Sequence, residues 1–279
     1  MLLPNPSLVS KLLGRSVQQM TAAQSESLDI YSIQQRIESF RKVLHKIKND
    51  MHSSLANDFA WCPYESLMNF YPLENVLAGD DRSILKKVGG KPVLDLGCGD
   101  GDLSYFLELL GCLVHAVDYP PTNFNQMRGV RALKQAMQSS VEIFEANLDD
   151  RFELPAPQYG LAFFCGILYH LKNPYYALET LARHATYCVL STRVARLTPD
   201  NRVRFQDQPM AYLLDAGEAN GDSTNYWIFS EAGLKRILNR CGWDVRGCAT
   251  TGDTRNSNPS SDRADERAFC FLESRVCVT

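Results

Sequence analysis

The chain has 279 residues and a mass of 31.4 kDa, which is enough for one large domain or two small ones. Hydrophobic residues make up 45% and charged residues 22%, and the net charge of −3 argues against a general polyanion binder. No apolar run approaches the ~20 residues that a transmembrane helix needs, so we expect no membrane span, and we expect no signal peptide.

The first predicted element is a long amphipathic helix at 27–49. Its apolar residues recur every three or four positions and form one stripe: Ile30, Ile33, Ile37, Phe40, Leu44 and Ile47. The stripe either packs on the helix's own domain, or it serves as a lid or as the seam of a homodimer.

The residues that follow this helix, 58–78, are rich in aromatic side chains. We expect them to dock the N-terminal part onto the rest of the chain, with a wall of a substrate pocket as the alternative. Residues 1–80 are therefore assigned to an N-terminal helical extension, a lid or docking element, and residues 81–279 to the main domain.

Strands and helices alternate from residue 91 onward. Strands are predicted at 92–96, 113–118, 141–146, 161–168, 186–194, 243–250 and 268–276. Helices are predicted at 103–110, 125–138, 174–184 and 230–241, the last with Ser230 as its N-cap and Gly242 at its end. This alternation predicts an α/β fold with a mostly parallel seven-stranded sheet and helices on both faces. Two long segments, 196–228 and 252–266, interrupt it, and loops of this length are usually functional or disordered.

The nine cysteines are scattered, and none forms a C-x-x-C pair. This pattern predicts reduced thiols in a cytoplasmic protein rather than a disulfide framework. The five histidines are dispersed as well, so we expect no metal site.

The segment V-L-D-L-G-C-G-D-G-D at 93–102 is the most informative motif of the chain. A buried strand containing Asp95 ends in a turn with Gly97, Gly99 and Gly101, and glycines allow a ligand to approach the backbone closely. Asp118 ends the second strand 21 residues after Gly97. There its carboxylate can accept hydrogen bonds from both hydroxyls of a ribose. A nucleotide-type ligand would lie at these carboxyl ends of the strands.

Two ligands of this type compete. The dinucleotide fingerprint is G-x-G-x-x-G, whereas the sixth position here is Asp102, an acid at the place where a pyrophosphate would approach the helix. S-Adenosylmethionine (SAM) has no phosphate, and its cationic amino and sulfonium groups favour nearby carboxylates, here Asp95 and Asp100. The residues therefore favour SAM.

Residues 93–102 resemble motif I of the class I SAM-dependent methyltransferases, and the resemblance extends from about Lys91 to Val276. It implies a Rossmann-like fold in which Asp95 lies near the methionine moiety, Asp118 binds the ribose, and Asn147 and Leu148 contact the adenine. This chain has Asn147 where the family often has Asp. The cofactor-binding residues implied by this resemblance are Asp95, Gly97, Cys98, Gly99, Gly101, Asp118, Tyr119, Asn147 and Leu148.

The segment F-C-G-I-L-Y-H-L-K-N-P at 164–174 resembles part of the tRNA wobble-uridine carboxymethyltransferases, which use carboxy-SAM to alkylate hydroxyuridine. The resemblance implies that Cys165 lines the cofactor site and that Tyr169 and Arg267 contact the cofactor's carboxylate. However, the chain lacks the Trp/Lys-rich approach to motif I of those enzymes, and its net charge fits poorly with tRNA. We therefore expect ordinary SAM, with S-adenosylhomocysteine (SAH) as product, and no nucleic-acid partner.

Tyr169 and Arg267 are then expected to face the substrate. The alternatives are that Tyr169 only packs and that Arg267 pairs with Asp265 or Glu266. His170 is the first candidate for a general base, with Tyr169 or an acid of the insertion next, unless His170 is purely structural.

The insertion at 196–228 adds further candidates. Asn225 and Tyr226 are expected to face the substrate, because polar groups beside aromatic ones suit a small-molecule pocket. A local basic cluster either pairs with nearby acids or forms an anionic-substrate site: Arg193, Arg196, Arg202 and Arg204.

The expected function is methyl transfer from SAM to a small-molecule acceptor with an O, N or C nucleophile. Two alternatives stay open: a tRNA wobble-uridine alkyltransferase that uses carboxy-SAM, and a non-catalytic SAM-binding module.

Overall fold

The sheet and its helices are built from the residues that the computed structural model describes, namely 20–52, 55, 56, 58–261 and 263–277. The strands are β1 (Val93–Leu96), β2 (Val114–Asp118), β3 (Glu142–Glu145), β4 (Tyr159–Cys165), β5 (Ala185–Val194), β6 (Ala211–Leu213), β7 (Trp227–Phe229), β8 (Trp243–Gly252) and β9 (Glu266–Ser274). The helices are α1 (Ala22–Glu26), α2 (Ile30–His52), α3 (Asp102–Leu109), α4 (Arg128–Met137), α5 (Pro174–His184) and α6 (Glu231–Arg240). Short 3-10 turns lead from α2 to β1, at Ser66–Phe70, Pro72–Asn75, Gly79–Arg82 and Ile84–Val88.

All of these strands belong to one sheet. β3, β2, β1, β4 and β5 lie side by side in that order and run parallel. β9 pairs antiparallel with β5, and β8 lies next to β9 at the edge. The predicted α/β Rossmann-like class is confirmed, and each of the seven predicted strands is present.

The predicted strand number was wrong, because the sheet has nine strands in the described part of the chain. The short strands β6 and β7 pair antiparallel with each other, and β7 extends the sheet beside the end of β5. Each of them has three residues, which is too few to produce a readable alternation pattern.

The central strands are hydrophobic almost throughout because helices cover both of their faces. All four residues of β1 are buried, as are six of the seven residues of β4. The chain runs from β1 through β2 to β3 on one side and then crosses to β4 on the other side of β1. This reversal opens a crevice at the carboxyl ends of β1 and β4.

The apolar stripe of α2 packs on the helix's own chain. Ile30, Ile33, Ile37 and Phe40 have no exposed surface, and the Phe40 ring lies 5.5 Å from that of Phe106 in α3. The stripe therefore offers no apolar face to a second copy, and the homodimer seam that we considered at this helix lacks its surface.

The aromatic segment after α2 docks in the same core. Phe70 is fully buried, and its ring lies 5.5 Å from that of Phe163 in β4. The extension and the sheet thus share one hydrophobic core. Among the described helices, none is long and apolar enough to cross a membrane.

The last helix begins and ends as the sequence predicts. The Ser230 side chain accepts a hydrogen bond of 2.8 Å from the Gly233 N–H at the start of α6. Gly242, with φ of +93°, follows the helix and turns the chain into β8.

Candidate active site

A cavity of about 740 Å³ lies at the carboxyl ends of β1, β2 and β4. One end is formed by the glycine turn after β1 and by Asp118, and the other by Tyr169, His170 and Arg267. A single cavity therefore connects the two motifs that the sequence singles out.

The glycine turn brings backbone rather than side chains to the cavity wall. Gly97 has φ of +81°, and a Cβ atom there would overlap the Ile167 side chain. The Gly97 N–H donates to the Val117 carbonyl over 2.8 Å, so the turn folds back onto β2. Gly97, Cys98 and Gly99 line the cavity as predicted, whereas Gly101 lies outside it, against Val130.

Asp118 is the carboxylate at the end of the cavity that the glycine turn forms. It accepts hydrogen bonds from Gly99 N at 2.8 Å, Tyr119 N at 2.7 Å and Asn123 Nδ2 at 2.9 Å. Burial raises the pKa of Asp118, while these donors oppose the rise. A carboxylate has about four lone-pair sites, so Asp118 keeps about one for a ligand. Tyr119 lines the cavity beside it.

Asp95 does not line the cavity, which corrects the expectation that it contacts a ligand. Its side chain lies under the turn and accepts a hydrogen bond of 2.6 Å from Ser104 Oγ in α3. Burial raises the pKa of Asp95 to about 7. Asp95 therefore supports the turn from behind.

Asp100 lines the cavity, but its carboxylate is engaged within the protein. Its oxygens accept from Cys62 N at 2.8 Å, from Asn125 Nδ2 at 2.7 Å and from Lys48 Nζ at 3.2 Å. We had expected Asp100 to face a cationic ligand group, and these donors use most of its acceptor capacity.

Lys48 of α2 pairs with two acids of the cavity wall, a role that the sequence analysis missed. Its Nζ lies 2.8 Å from Asp102 as well as 3.2 Å from Asp100. Burial lowers the pKa of Lys48, but the two carboxylates raise it more, so the net shift is upward. Burial raises the pKa of Asp102, and Lys48 opposes this. No local pattern links position 48 to 100 and 102.

The segment after α2 forms another wall, which corresponds to the alternative that we considered for 58–78. Cys62, Tyr64, Met68 and Asn69 line the cavity. Asn69 is held in place because its Oδ1 accepts a hydrogen bond of 2.9 Å from Ser191 Oγ in β5. Asn147 and Leu148 line the cavity beyond β3, and Cys165 lines it at the end of β4, all three as predicted.

A sharp turn lifts the second motif into the cavity. β4 ends at Cys165 rather than at 168, because Gly166 has φ of +77°. A Cβ at Gly166 would lie 3.7 Å from Arg267 Nη1 and 3.8 Å from the Tyr169 hydroxyl, so both groups meet at this turn. The Arg267 guanidinium lies 5.6 Å from the centre of the Tyr169 ring.

The hydrogen bonds of His170 define its tautomer. Its Nδ1 lies 2.9 Å from Thr224 Oγ1 and 3.3 Å from the Thr224 carbonyl, which can only accept. The Thr224 hydroxyl donates to Asp222 over 2.7 Å. Nδ1 therefore carries the proton in neutral His170, and Nε2 keeps the lone pair. Burial lowers the pKa of His170 below 6.5, and Asp222 only partly opposes this.

The structure corrects two substrate candidates in the insertion. Asn225 is buried, and its Nδ2 donates to the Ala219 carbonyl over 2.9 Å. The Tyr226 ring lies under Lys172, and its N–H donates to the Tyr169 carbonyl. Neither side chain lines the cavity. Both instead form contacts that stabilise the loop. Their neighbours Asp222 and Thr224 line it instead.

The basic cluster of the insertion is paired with other groups of the protein. Arg193 lies 2.8 Å from Asp265, and Arg196 Nε lies 2.8 Å from Glu266. Arg204 donates to Gln206, and Arg202 lies 3.7 Å from Asp200. None of the four arginines lines the cavity, so the structure favours the alternative in which the cluster is paired within the protein.

The ion pairs of Arg193 and Arg196 also bear on Arg267, for which we considered a pair with Asp265 or Glu266. Asp265 and Glu266 are occupied by Arg193 and Arg196. Within the described ranges, no carboxylate lies within ion-pair distance of the Arg267 guanidinium. Arg267 is thus a largely buried cation on the cavity wall, and its ion pair with Asp265 or Glu266 is not formed.

The charges of the wall fit SAM better than a dinucleotide. Over the described residues, Arg267 is the one Lys or Arg that lines the cavity, and it lies at the Tyr169 end. A pyrophosphate at the glycine turn would meet Asp100 and Asp102 on the wall, whereas Lys48, the cation paired with both, does not line the cavity. A ligand without phosphates, with a ribose for Asp118 and an apolar contact at Leu148, fits the donor set. Among the described residues, no group of three or more His, Cys, Asp or Glu side chains could hold a metal ion.

Comparison with known proteins gives a family match. The model of the methyltransferase domain family matches residues 75–246, more than half of the chain. No curated protein sequence matches the chain.

Several solved structures are similar to this chain. The N-terminal domain of EvdMO1, solved in the presence of SAH and D-fucose, is 15% identical with a TM-score of 0.52 and covers 83% of this chain and 97% of its own. The same domain solved with SAH bound is 16% identical with a TM-score of 0.50, covering 89% and 98%. A putative methyltransferase from Bacillus halodurans is 12% identical with a TM-score of 0.49, covering 67% and 93%. At these identities the likeness concerns the fold.

Proposed function

The chain belongs to the methyltransferase domain family, and we propose that this SAM-dependent methyltransferase acts on a small-molecule acceptor with an O, N or C nucleophile. The observation that carries the proposal is the single cavity of about 740 Å³ that joins Asp118 to His170. Its volume lies in the range of small-molecule sites, about 300–1,000 Å³. The wall at Cys62–Asn69 encloses it further, and enclosure favours a small acceptor over a macromolecule.

The cofactor end holds SAM through backbone and one carboxylate. When bound, SAM supplies an electrophilic methyl group on a sulfonium that is already a good leaving group. The free acceptor site of Asp118 takes a ribose hydroxyl, while Asn147 and Leu148 contact the adenine. Gly97 and Gly99 permit close approach beside Cys98, Tyr119 and Cys165. Holding cofactor and acceptor in line can then supply most of the catalysis.

The acceptor end can remove a proton. His170 is neutral at neutral pH because its pKa is lowered, and its Nε2 lone pair is available as a general base. When His170 takes the proton, Nδ1–H stays bonded to Thr224, and Asp222, 4.0 Å away, stabilises the positive charge. Tyr169 and Arg267 position the acceptor beside this base.

Calorimetry with SAH tests the cofactor end. We expect Asp118→Ala to weaken SAH binding by about 10–100-fold or more, because a hydrogen bond to a charged group contributes about 1.5–3 kcal/mol. Asp150→Ala is the matched control, since Asp150 is an exposed carboxylate outside the cavity. Unchanged SAH affinity in Asp118→Ala would contradict the site assignment.

A second candidate function rests on Arg267. A partly buried guanidinium with no carboxylate partner among the described residues, next to the Tyr169 hydroxyl, matches an anionic ligand group, and carboxy-SAM carries one. A thermal-shift comparison of SAM with carboxy-SAM separates the two candidates. If Arg267→Ala loses only the response to carboxy-SAM, the carboxylated cofactor is the better ligand. The tRNA alternative further requires tRNA binding with a steep salt dependence.

The location that we propose is the cytoplasm. All nine cysteines are free thiols, which is typical of a reducing compartment.

A further inference from the structure

Two cysteines face each other at the β8–β9 edge of the sheet, outside the cavity. Cys248 and Cys270 are register partners in this antiparallel pair, and their Sγ atoms lie 2.8 Å apart. Directly opposed residues of antiparallel strands have Cα atoms about 4.5–5.5 Å apart, within the range that a disulfide requires. Because an S–S bond measures about 2.05 Å, the sulfur atoms need to approach by less than about 1 Å.

Cys248 is the accessible member of the pair. It is half-buried on the wall of a surface pocket of about 420 Å³, next to Lys235, whereas Cys270 has no exposed surface. The hydrogen bond with Cys270 lowers the pKa of Cys248, burial opposes this, and Lys235 lowers it further. Cys248 therefore forms the reactive thiolate more readily than Cys270, whose pKa is raised.

We propose that Cys248 and Cys270 form a redox site at which a peroxide converts the two thiols to a disulfide. The Cys248 thiolate attacks one oxygen of hydrogen peroxide and becomes a sulfenic acid, and the other oxygen leaves as water after taking a proton. The Cys270 sulfur then attacks the sulfenic sulfur, the S–S bond forms, and a second water leaves. The two thiols lose two electrons, and the peroxide gains them.

The position of the pair gives the crosslink a defined structural effect. β9 also holds Arg267 and Phe269 in the wall of the cavity. A bond from Cys270 to Cys248 fixes this strand to β8 directly beside those residues. Among the described residues, Cys248 and Cys270 are the one pair of cysteines whose sulfur atoms lie within hydrogen-bond distance of each other. Formation of this crosslink does not depend on the proposed acceptor.

Peptide mapping tests the proposal. The reduced full-length protein is treated with hydrogen peroxide, blocked with N-ethylmaleimide under denaturing conditions and digested with trypsin. Cleavage at the flanking arginines gives peptides 247–255 and 268–275, each with one cysteine. We expect these two peptides to appear linked, lighter by two hydrogens than their sum, as the first disulfide formed, and to separate after dithiothreitol.

Matched variants and the wild-type outcome make the test decisive. Cys248→Ser should abolish the linked species, whereas Cys112→Ser should leave it unchanged, because Cys112 is also half-buried but lies outside the β8–β9 strand pair. The proposal is overturned if Cys248 stays a free thiol or accumulates as an unlinked sulfinic acid, or if another pair of cysteines links first.

Discussion

Replacing Lys48 with Met tests whether α2 stabilises the glycine turn after β1 through the ion pairs of Lys48. The side chains of Lys48, Asp100 and Asp102 are only 11%, 2% and 11% exposed, and Nζ lies 3.2 and 2.8 Å from the two carboxylates. Removing one member of a buried ion pair costs about 3–5 kcal/mol, because the partner's charge stays buried without compensation. We therefore expect Lys48→Met to lower the free energy of unfolding by about 3–5 kcal/mol at neutral pH.

The loss of stability in Lys48→Met should be larger at high pH than at low pH. Burial raises the pKa of Asp102 and Lys48 opposes this, so the pKa rises further in Lys48→Met. A carboxyl group whose pKa is higher in the folded than in the unfolded state destabilises the fold when it is ionised. The stability that Lys48→Met loses is therefore largest at a pH above the pKa of Asp102 in the folded variant. The loss becomes smaller as the pH falls through that pKa.

Urea unfolding followed by circular dichroism measures this effect. Lys46→Met is the matched control on the same helix, because Lys46 forms an exposed ion pair with Asp50 and should contribute below about 1 kcal/mol. Adding Asp102→Asn to Lys48→Met should restore part of the stability, since one buried charge is removed. A loss below about 1 kcal/mol in Lys48→Met, or an equal loss at every pH, would refute this reasoning.

Two further predictions concern the cavity. If His170 is the base, wild-type kcat/KM should fall on acidification with a midpoint below the ordinary histidine value of 6.5, because the pKa of His170 is lowered and the base must be deprotonated. His170→Gln should lose this acid limb, and a variant that keeps it would exclude His170. Gly97→Ala should lower Tm and weaken SAH binding at least tenfold. The φ of +81° costs a residue with a side chain about 1–2 kcal/mol, and the added Cβ would overlap the Ile167 side chain. A variant with wild-type Tm and wild-type SAH affinity would contradict this prediction.

The sheet and the cofactor turn could be predicted because local signals determine them. The apolar run of β1 is followed at once by glycines that need positive φ, and Asp118 directly ends a second apolar run. Asp95 could not be placed correctly from the same motif. Its partner Ser104 lies nine residues further on, in a helix, and this contact turns the carboxylate away from the cavity.

The acceptor end could be predicted only in part. Tyr169 and His170 follow a strand end and a glycine, and that arrangement is visible in the sequence. Asn225 was misassigned because its role depends on the path of the loop, which closes through the Ala219 carbonyl. Nothing in the local pattern distinguishes Asn225 from Thr224, which instead bonds to His170.

The N-terminal segment is part of the site and not only an attachment to it. Lys48 compensates two buried acids of the glycine turn, and Asp100 in turn holds the backbone of Cys62, from which the wall with Tyr64 and Asn69 continues. The positive charge of Lys48 is therefore used inside the protein, against Asp100 and Asp102. Because Asp100 accepts from both Lys48 and the Cys62 backbone, it links the glycine turn to this wall, and we expect a change at Lys48 to affect both together.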